Sequence, residues 1–182
     1  MSDAADQVIE RVSTKVAYET RYMRLREDRI RRPDGSPGIY SYVEKPDFAL
    51  VVPMEDDGFH LVEQYRYPIG RRSWEFPQGT MPGMATADPE SLAREELRQE
   101  TGLSAGSMRH LGRLHCAVGM ASQGFDVFLA TDLVHGRAEL EIEEQDLRHR
   151  WFPRREVEEM IRTGVITDDS SLAAYTLLLL GV

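Results

Sequence analysis

Residues 74–103, WEFPQGTMPGMATADPESLAREELRQETGL, constrain the fold more tightly than any other stretch of the chain. A short extended run ends at Pro77-Gln78-Gly79, and a loop punctuated by Gly and Pro follows. Asp88-Pro89 then opens a helix that Gly102 closes about four turns later. Asp is a favoured N-cap because its carboxylate accepts orphan N–H groups of the first turn, and Pro at the first helical position sacrifices no hydrogen bond. Gly just past the last turn takes the left-handed conformation without strain. A strand feeding a helix through an irregular loop needs a sheet to receive the helix, which predicts a mixed α/β sandwich.

The rest of the chain supplies the strands. Phe48–Met54 and Phe59–Tyr67 flank Glu55-Asp56-Asp57-Gly58, a β-hairpin pattern. Further extended pieces are predicted at Trp74–Pro77, Met108–Cys116, Phe125–Ala130 and around Trp151, with an acidic loop from Glu139 to Asp146. Pro153 opens a second helix, with Val157, Met160 and Ile161 on one face and Gly164 beyond its end. Asp168 or Asp169 caps a third, whose nearly all-apolar residues from Leu172 to Leu180 predict burial on most sides. Residues 1–14 are polar and expected to be flexible. Residues 15–32 are rich in Tyr and Arg and end at the turn Pro33-Asp34-Gly35. Arginines 21, 24, 26, 29, 31 and 32 there form either a solvated strand face or an anion- or dimer-contacting arm.

Composition narrows the function. At 182 residues the chain fits one domain, and 22 Lys and Arg against 31 Asp and Glu give a net charge of −9. That balance argues against nucleic acid or an anionic membrane as partner. No apolar stretch approaches membrane-spanning length, and the N-terminus lacks a basic-then-apolar leader pattern. Cys116 is the sole cysteine, so no intrachain disulfide is possible, and the expectation is a cytoplasmic protein. The five histidines show no helical metal-ligand spacing.

Chemistry concentrates in the capped helix. Glu96 and Glu100, four residues apart, share a face, with Gln99 beside them and Ala93 and Leu97 on the adjoining apolar stripe. Like charges at this spacing cost an isolated helix about 0.2–0.5 kcal/mol. Two such carboxylates can hold a hard divalent cation such as Mg²⁺ through oxygen ligands. The competing reading is a solvated helix in which Glu90 pairs with Arg94 and Glu95 with Arg98.

The strand, loop and acidic helix with its closing Thr101-Gly102-Leu103 resemble the Nudix box of Nudix hydrolases. The box reads Gly, five residues, Glu, seven residues, Arg-Glu-apolar-any-Glu-Glu-any-Gly-apolar. Anchored on Glu96-Leu97 and Gly102-Leu103, its Arg position holds Glu95, with Arg94 as neighbour. The first Glu of its pair is Gln99, the second is Glu100, and the earlier Glu is Ala87. Phe59–Gly79 and Ile161–Leu178 are similar to the stretch before the box and to the C-terminal end of the ADP-ribose pyrophosphatase group.

The resemblance implies a Nudix-type α/β/α sandwich with a mixed β-sheet, one domain over residues 1–182. It implies Mg²⁺, with Mn²⁺ as substitute, held by Glu96, Glu100 and Gln78. Glu96 would also serve catalysis, and the acidic loop would supply the base from Glu143 or Glu144. Arg66, Gln99 and Glu75 would contact substrate. The implied activity is hydrolysis of the diphosphate of a nucleoside diphosphate sugar, such as ADP-ribose, to a nucleoside monophosphate and a sugar phosphate. Val118 stands where ADP-ribose-cleaving members carry Pro. The implied assembly is a homodimer through N-terminal strands within residues 15–47. The alternative is a nucleotide-sugar binding or regulatory domain impaired in turnover, suggested by Glu95, Gln99 and Ala87.

Overall fold

A computed structural model describes residues 8–81, 87–140 and 142–181, the side chain of Glu143 excepted. The described residues form two compact units, one of residues 8–46 and 115–123, the other of 47–81, 87–114 and those from 124 onward.

The larger unit is built around β4 (Phe48–Glu55), where Ala49, Leu50, Val51 and Val52 have no solvent exposure. An unbroken apolar run of this kind belongs to a strand covered on both faces. The expected hairpin joins it to β5 (Gly58–Arg66), turning through Asp56 at φ 50°. On its other side β4 pairs in parallel with β9 (Gly124–His135), from Phe48 opposite Phe125 to Pro53 opposite Ala130. β10 (Arg148–Pro153) and β8 (Leu103–His115) complete the row β10-β5-β4-β9-β8. β6 (Arg71–Glu75) pairs with β5, and the two-residue β7 (Gln78–Gly79) pairs with β4 at Leu50 and Ala49.

The sheet is mixed and carries helices on both faces, which is the predicted α/β/α sandwich. α1 (Pro89–Thr101) starts at Asp88, whose carboxylate accepts from the Ser91 N–H, and ends at Gly102 in the left-handed region at φ 74°. Its buried Leu92, Ala93 and Leu97 pack with Ala49, Val51, Leu103, Phe128 and Ala130. Leu50 and Val52 point the opposite way by strand alternation, toward the side of α3 (Asp169–Leu180). There the Phe59 ring meets Phe76 and Tyr175 edge-on. α2 (Arg154–Arg162) buries Val157 and Met160 against β5.

α3 departs from expectation. Its buried stripe is Ser170, Ser171, Ala174 and Tyr175, whereas Leu179 and Leu180 are 62% and 70% exposed. The first half of the helix meets the sheet through small residues, and the leucines of the last turn lie beyond that contact.

The smaller unit holds the antiparallel β1 (Glu10–Glu19), β2 (Arg24–Arg31) and β3 (Pro37–Glu44). Of the stretch expected to be flexible, residues 1–7 lie outside the described residues, while Glu10–Thr14 already belong to β1 through pairing with β2. Several arginines pair across this sheet: Arg26 with Glu44 at 2.8 Å and Arg31 with Glu10 at 3.2 Å. The exposed Arg31–Glu10 pair contributes about 0–1 kcal/mol.

Gly102 does more than end α1. A Cβ there would stand 2.7 Å from Ala138 N and 2.8 Å from Arg137 C, both backbone atoms. Left-handed strain and overpacking together should make Gly102→Ala destabilising by at least about 2 kcal/mol. The expected melting-temperature loss is roughly 4–8 °C, against about 1 kcal/mol for loss of the Asp88 cap in Asp88→Ala. A Gly102→Ala melt superimposable on wild type would refute the packing argument.

Candidate active site

α1 aims Glu96 and Glu100 from its buried face toward β7, and both carboxylates are almost fully buried. The short 3-10 turn Ile142–Glu144 brings Glu144 to them, so that one oxygen from each of Glu96, Glu100 and Glu144 lies within 4.8 Å of the others. The side chain of Glu143 lies outside the described residues, so of the two expected base candidates only Glu144 has a described place in this cluster. Burial pushes the Glu100 carboxyl well above the usual range, and the charges of Glu96 and Glu144 push it further. The Gln78 N–H, at 3.1 Å, and the Arg66 charge act the other way. An all-oxygen set under mutual repulsion fits a hard divalent cation, and Glu96, Glu100 and Glu144 are the residues that can hold one.

β7 lies close over this cluster because Gly79 has no side chain. A Cβ there would meet Glu96 Oε2 at 2.3 Å and its carboxyl carbon at 2.4 Å. Asp146 fixes the end of the acidic segment, accepting from Arg72 Nη1 at 2.7 Å and from the Tyr65 N–H at 3.1 Å. The Leu147 N–H closes back on the Glu144 carbonyl at 2.9 Å.

Arg66 stands beside the carboxylates at the end of β5. Its guanidinium donates from Nε to Glu75 Oε1 at 2.8 Å and from Nη2 to Glu75 Oε2. Burial opposes the guanidinium charge, but Glu75, Asp168 and Glu100 more than offset it and hold the group protonated. Arg66, Glu75 and Asp168 line an open cleft of about 300 Å³ with Pro68, Ile69 and Ser73. Glu75 is 1% exposed, so it contributes to the floor of the cleft, hydrogen-bonded to Arg66.

The two expected glutamines behave differently from each other. Gln78 donates its side-chain amide to Glu75 at 3.0 Å and to Asp168 at 3.2 Å, so its amide nitrogen is turned toward that pair. Gln99 donates to Glu95 at 2.9 Å along the exposed flank of α1. Asp168, recognised in the sequence only as a helix cap, is a half-buried member of the cleft, its carboxyl raised first by burial and then by Glu75. Nothing in its local sequence separates that role from capping, because it performs both.

Three of the five histidines, which show no ligand spacing in sequence, also meet, at the far end of β4. His60 Nε2 lies 3.1 Å from Glu55 Oε2, and His135 Nε2 lies 2.9 Å from Glu55 Oε1. His149 Nε2 lies 2.9 Å from His60 Nδ1. Loss of solvent around its ring, then the neighbouring imidazoles of His60 and His135, push His149 down to about 4.

Residues 44–175 match the family model described as NUDIX domain, and residues 9–43 match one described as nucleoside diphosphate sugar hydrolase N-terminal domain. The chain belongs to the Nudix family. It is 33% identical over 171 residues to an ADP-ribose pyrophosphatase of Mycobacterium tuberculosis (strain ATCC 25618 / H37Rv), spanning 93% of this chain and 82% of that protein. An ADP-ribose pyrophosphatase of Bacillus subtilis (strain 168) is 28% identical over 118 residues, 64% of this chain and 63% of that protein. A solved structure titled as an ADP compounds hydrolase superposes with a TM-score of 0.83 at 18% identity, covering 94% of this chain and 92% of that one, a likeness of fold.

In this Nudix hydrolase two departures from the box do not face the core: Glu95 is exposed on α1, and Ala87 is exposed before the helix begins. Glu95 pairs with Arg98 at 2.8 Å, and Arg98 reaches on to Glu139 at 2.8 Å, tying the helix to the segment that leads toward Glu144. Arg94 pairs with Glu90 and donates to the Ala105 carbonyl at 2.9 Å.

The raised Glu100 carboxyl has a definite stability signature. Its unfolded form ionises near 4.5, and the metal-free folded form holds its proton to higher pH. Stability therefore falls as pH rises above about 4.5, and the penalty is complete only above the folded-state value. In chelator, Glu100→Gln should melt above wild type at neutral pH, by about 2–4 °C per kcal/mol relieved. The gap should close toward pH 4, and added Mg²⁺ should stabilise wild type but not the variant. A variant that melts below wild type across the whole range would remove this account.

Proposed function

We propose that this Nudix hydrolase is a Mg²⁺-dependent diphosphatase acting on a nucleoside diphosphate sugar, releasing a nucleoside monophosphate and a sugar phosphate. The observation that carries the reading is the convergence of Glu96, Glu100 and Glu144 next to the Arg66 cleft. The N-terminal match to nucleoside diphosphate sugar hydrolases and the pyrophosphatase relatives support the substrate class.

In this mechanism Glu96 and Glu100 hold the cation, which supplies charge compensation to the diphosphate oxygens when bound. Glu144 orients a water and takes its proton as the water oxygen bonds to one phosphorus. The bond from that phosphorus to the bridging oxygen breaks, and the bridging oxygen leaves with the second phosphate. Arg66 presents N–H groups to the diphosphate or terminal sugar, aimed by Glu75. Gln78 fixes Glu75 and Asp168 through its side chain and Glu100 through its backbone N–H. Mn²⁺ can substitute, since it accepts the same oxygen donors. ADP-ribose is one member of the proposed class; Val118, 81% exposed, replaces the proline of typical ADP-ribose-cleaving members and leaves the terminal sugar open.

In this reading the chain is one cytoplasmic hydrolase domain that pairs into a homodimer through β1–β3. Sedimentation at micromolar concentration should give twice the 20.8 kDa chain mass, and a monomer would dismiss the dimer. The alternative of a binding domain without turnover rests on Glu95, Gln99 and Ala87, but Glu95 and Gln99 make their contacts outside the carboxylate cluster.

Ion-exchange product analysis across a panel of nucleoside diphosphate sugars, with Mg²⁺ or Mn²⁺, tests the function. The expected outcome is a monophosphate that requires both metal and Glu100. Gly79→Ala should lower turnover sharply while the fold survives, because the new methyl displaces the Glu96 carboxylate. Arg66→Lys should raise KM about tenfold, ~1.4 kcal/mol, through loss of the planar fork. Binding of a panel member, seen as thermal stabilisation without any product, would transfer the assignment to the binding domain.

A further inference from the structure

We propose that Glu55, His60 and His135 form a second cation site, suited to a borderline transition-metal ion such as Zn²⁺ or Co²⁺ and chemically distinct from the carboxylate cluster. The topology explains the meeting. β4 and β9 run parallel, so Glu55 and His135, the last residues of the two strands, arrive at the same end of the sheet. The hairpin returns β5 beside them, and His60 sits in register with Trp151 of β10. Leu50, which pairs with Gln78 near the carboxylate cluster, is five residues back along β4, about 17 Å at 3.3 Å per residue.

The distances suit an ion. Two ligands each about 2.1 Å from a tetrahedral centre stand about 3.4 Å apart. Glu55 Oε2 lies 3.1 Å from His60 Nε2 and 3.2 Å from His135 Nε2, and one ligand atom from each residue falls within 4.8 Å of the others. Two imidazole nitrogens and one carboxylate oxygen are a borderline donor set, whereas Glu96, Glu100 and Glu144 offer oxygen alone. Three protein ligands leave a further position for water, as in open zinc sites.

The surroundings hold the ligands in place. With Nε2 of His60 on the ion, its Nδ1–H donates to His149 Nε2 at 2.9 Å, the outer hydrogen bond that orients a ligating imidazole. The Glu55 carbonyl accepts from Trp151 Nε1 at 3.2 Å, and the turn after it is clamped by Arg154, which donates from Nε to Asp57 at 2.8 Å. His60 is 3% exposed, while the Glu55 and His135 side chains are 33% and 60% exposed and give an ion a way in.

Titration with Co²⁺ followed by visible absorption tests the site, since low-coordinate cobalt with imidazole ligands absorbs far more strongly than cobalt in an octahedral oxygen site. One equivalent should give the intense bands in wild type and in Glu100→Gln. His135→Ala, a change at an exposed position, should abolish them while leaving the chelator-treated melting temperature and any turnover unchanged. His149→Phe should weaken the apparent affinity about 10–100-fold. Zn²⁺ should raise the melting temperature of Glu100→Gln, but not of the double variant Glu100→Gln/His135→Ala. Absence of the bands in wild type, their survival in His135→Ala, or their loss in Glu100→Gln would overturn the proposal and reduce the cluster to a hydrogen-bonded brace.

Discussion

The larger unit depends on β4 having no solvent face. With Ala49 to Val52 fully buried, the strand needs a partner on each edge and a helix on each face. β5 and β7, β9, α1 and α3 are those neighbours. Each polar cluster then forms where one of the neighbours runs past an end of this strand. At the β7 end, α1 brings carboxylates; at the hairpin end, β9 and β5 bring imidazoles.

Burying carboxylates without cations is unfavourable, and Glu75 and Glu100 meet that cost in different ways. Glu75 is as buried as Glu100, yet Arg66 accompanies it with two hydrogen bonds. Glu100 has Glu96 and Glu144 as neighbours instead, and a backbone N–H as its described donor. The contrast between two buried glutamates, one neutralised by Arg66 and one left for an ion, is what gives the site its chemistry.

What could be read in sequence was local. Asp88, Pro89 and Gly102 delimit α1 because capping chemistry acts within one turn, and Asp57-Gly58 marks the hairpin for the same reason. The Glu96/Glu100 spacing placed both carboxylates on one helical face, and burial on that face followed from Ala93 and Leu97 beside them. What could not be read depended on contacts between distant strands. His60, His135 and His149 are separated by up to 89 positions and meet only because β9 is parallel to β4 and β10 antiparallel to β5. The exposed leucines of α3 show the converse limit: an apolar run reports the affinity of a helix for a core, not the extent of the sheet available to cover it.

The pairing of Arg66 with Glu75 has a consequence for how an anion would reach the cleft. Each guanidinium charge there is matched by a carboxylate a hydrogen bond away, and the chain as a whole carries a charge of −9. At a distance the protein therefore repels an anionic ligand, and Arg66 attracts it only at contact, through directed N–H groups. Dissolved salt shortens the range of that repulsion, so association should grow easier as ionic strength rises, the reverse of electrostatic steering.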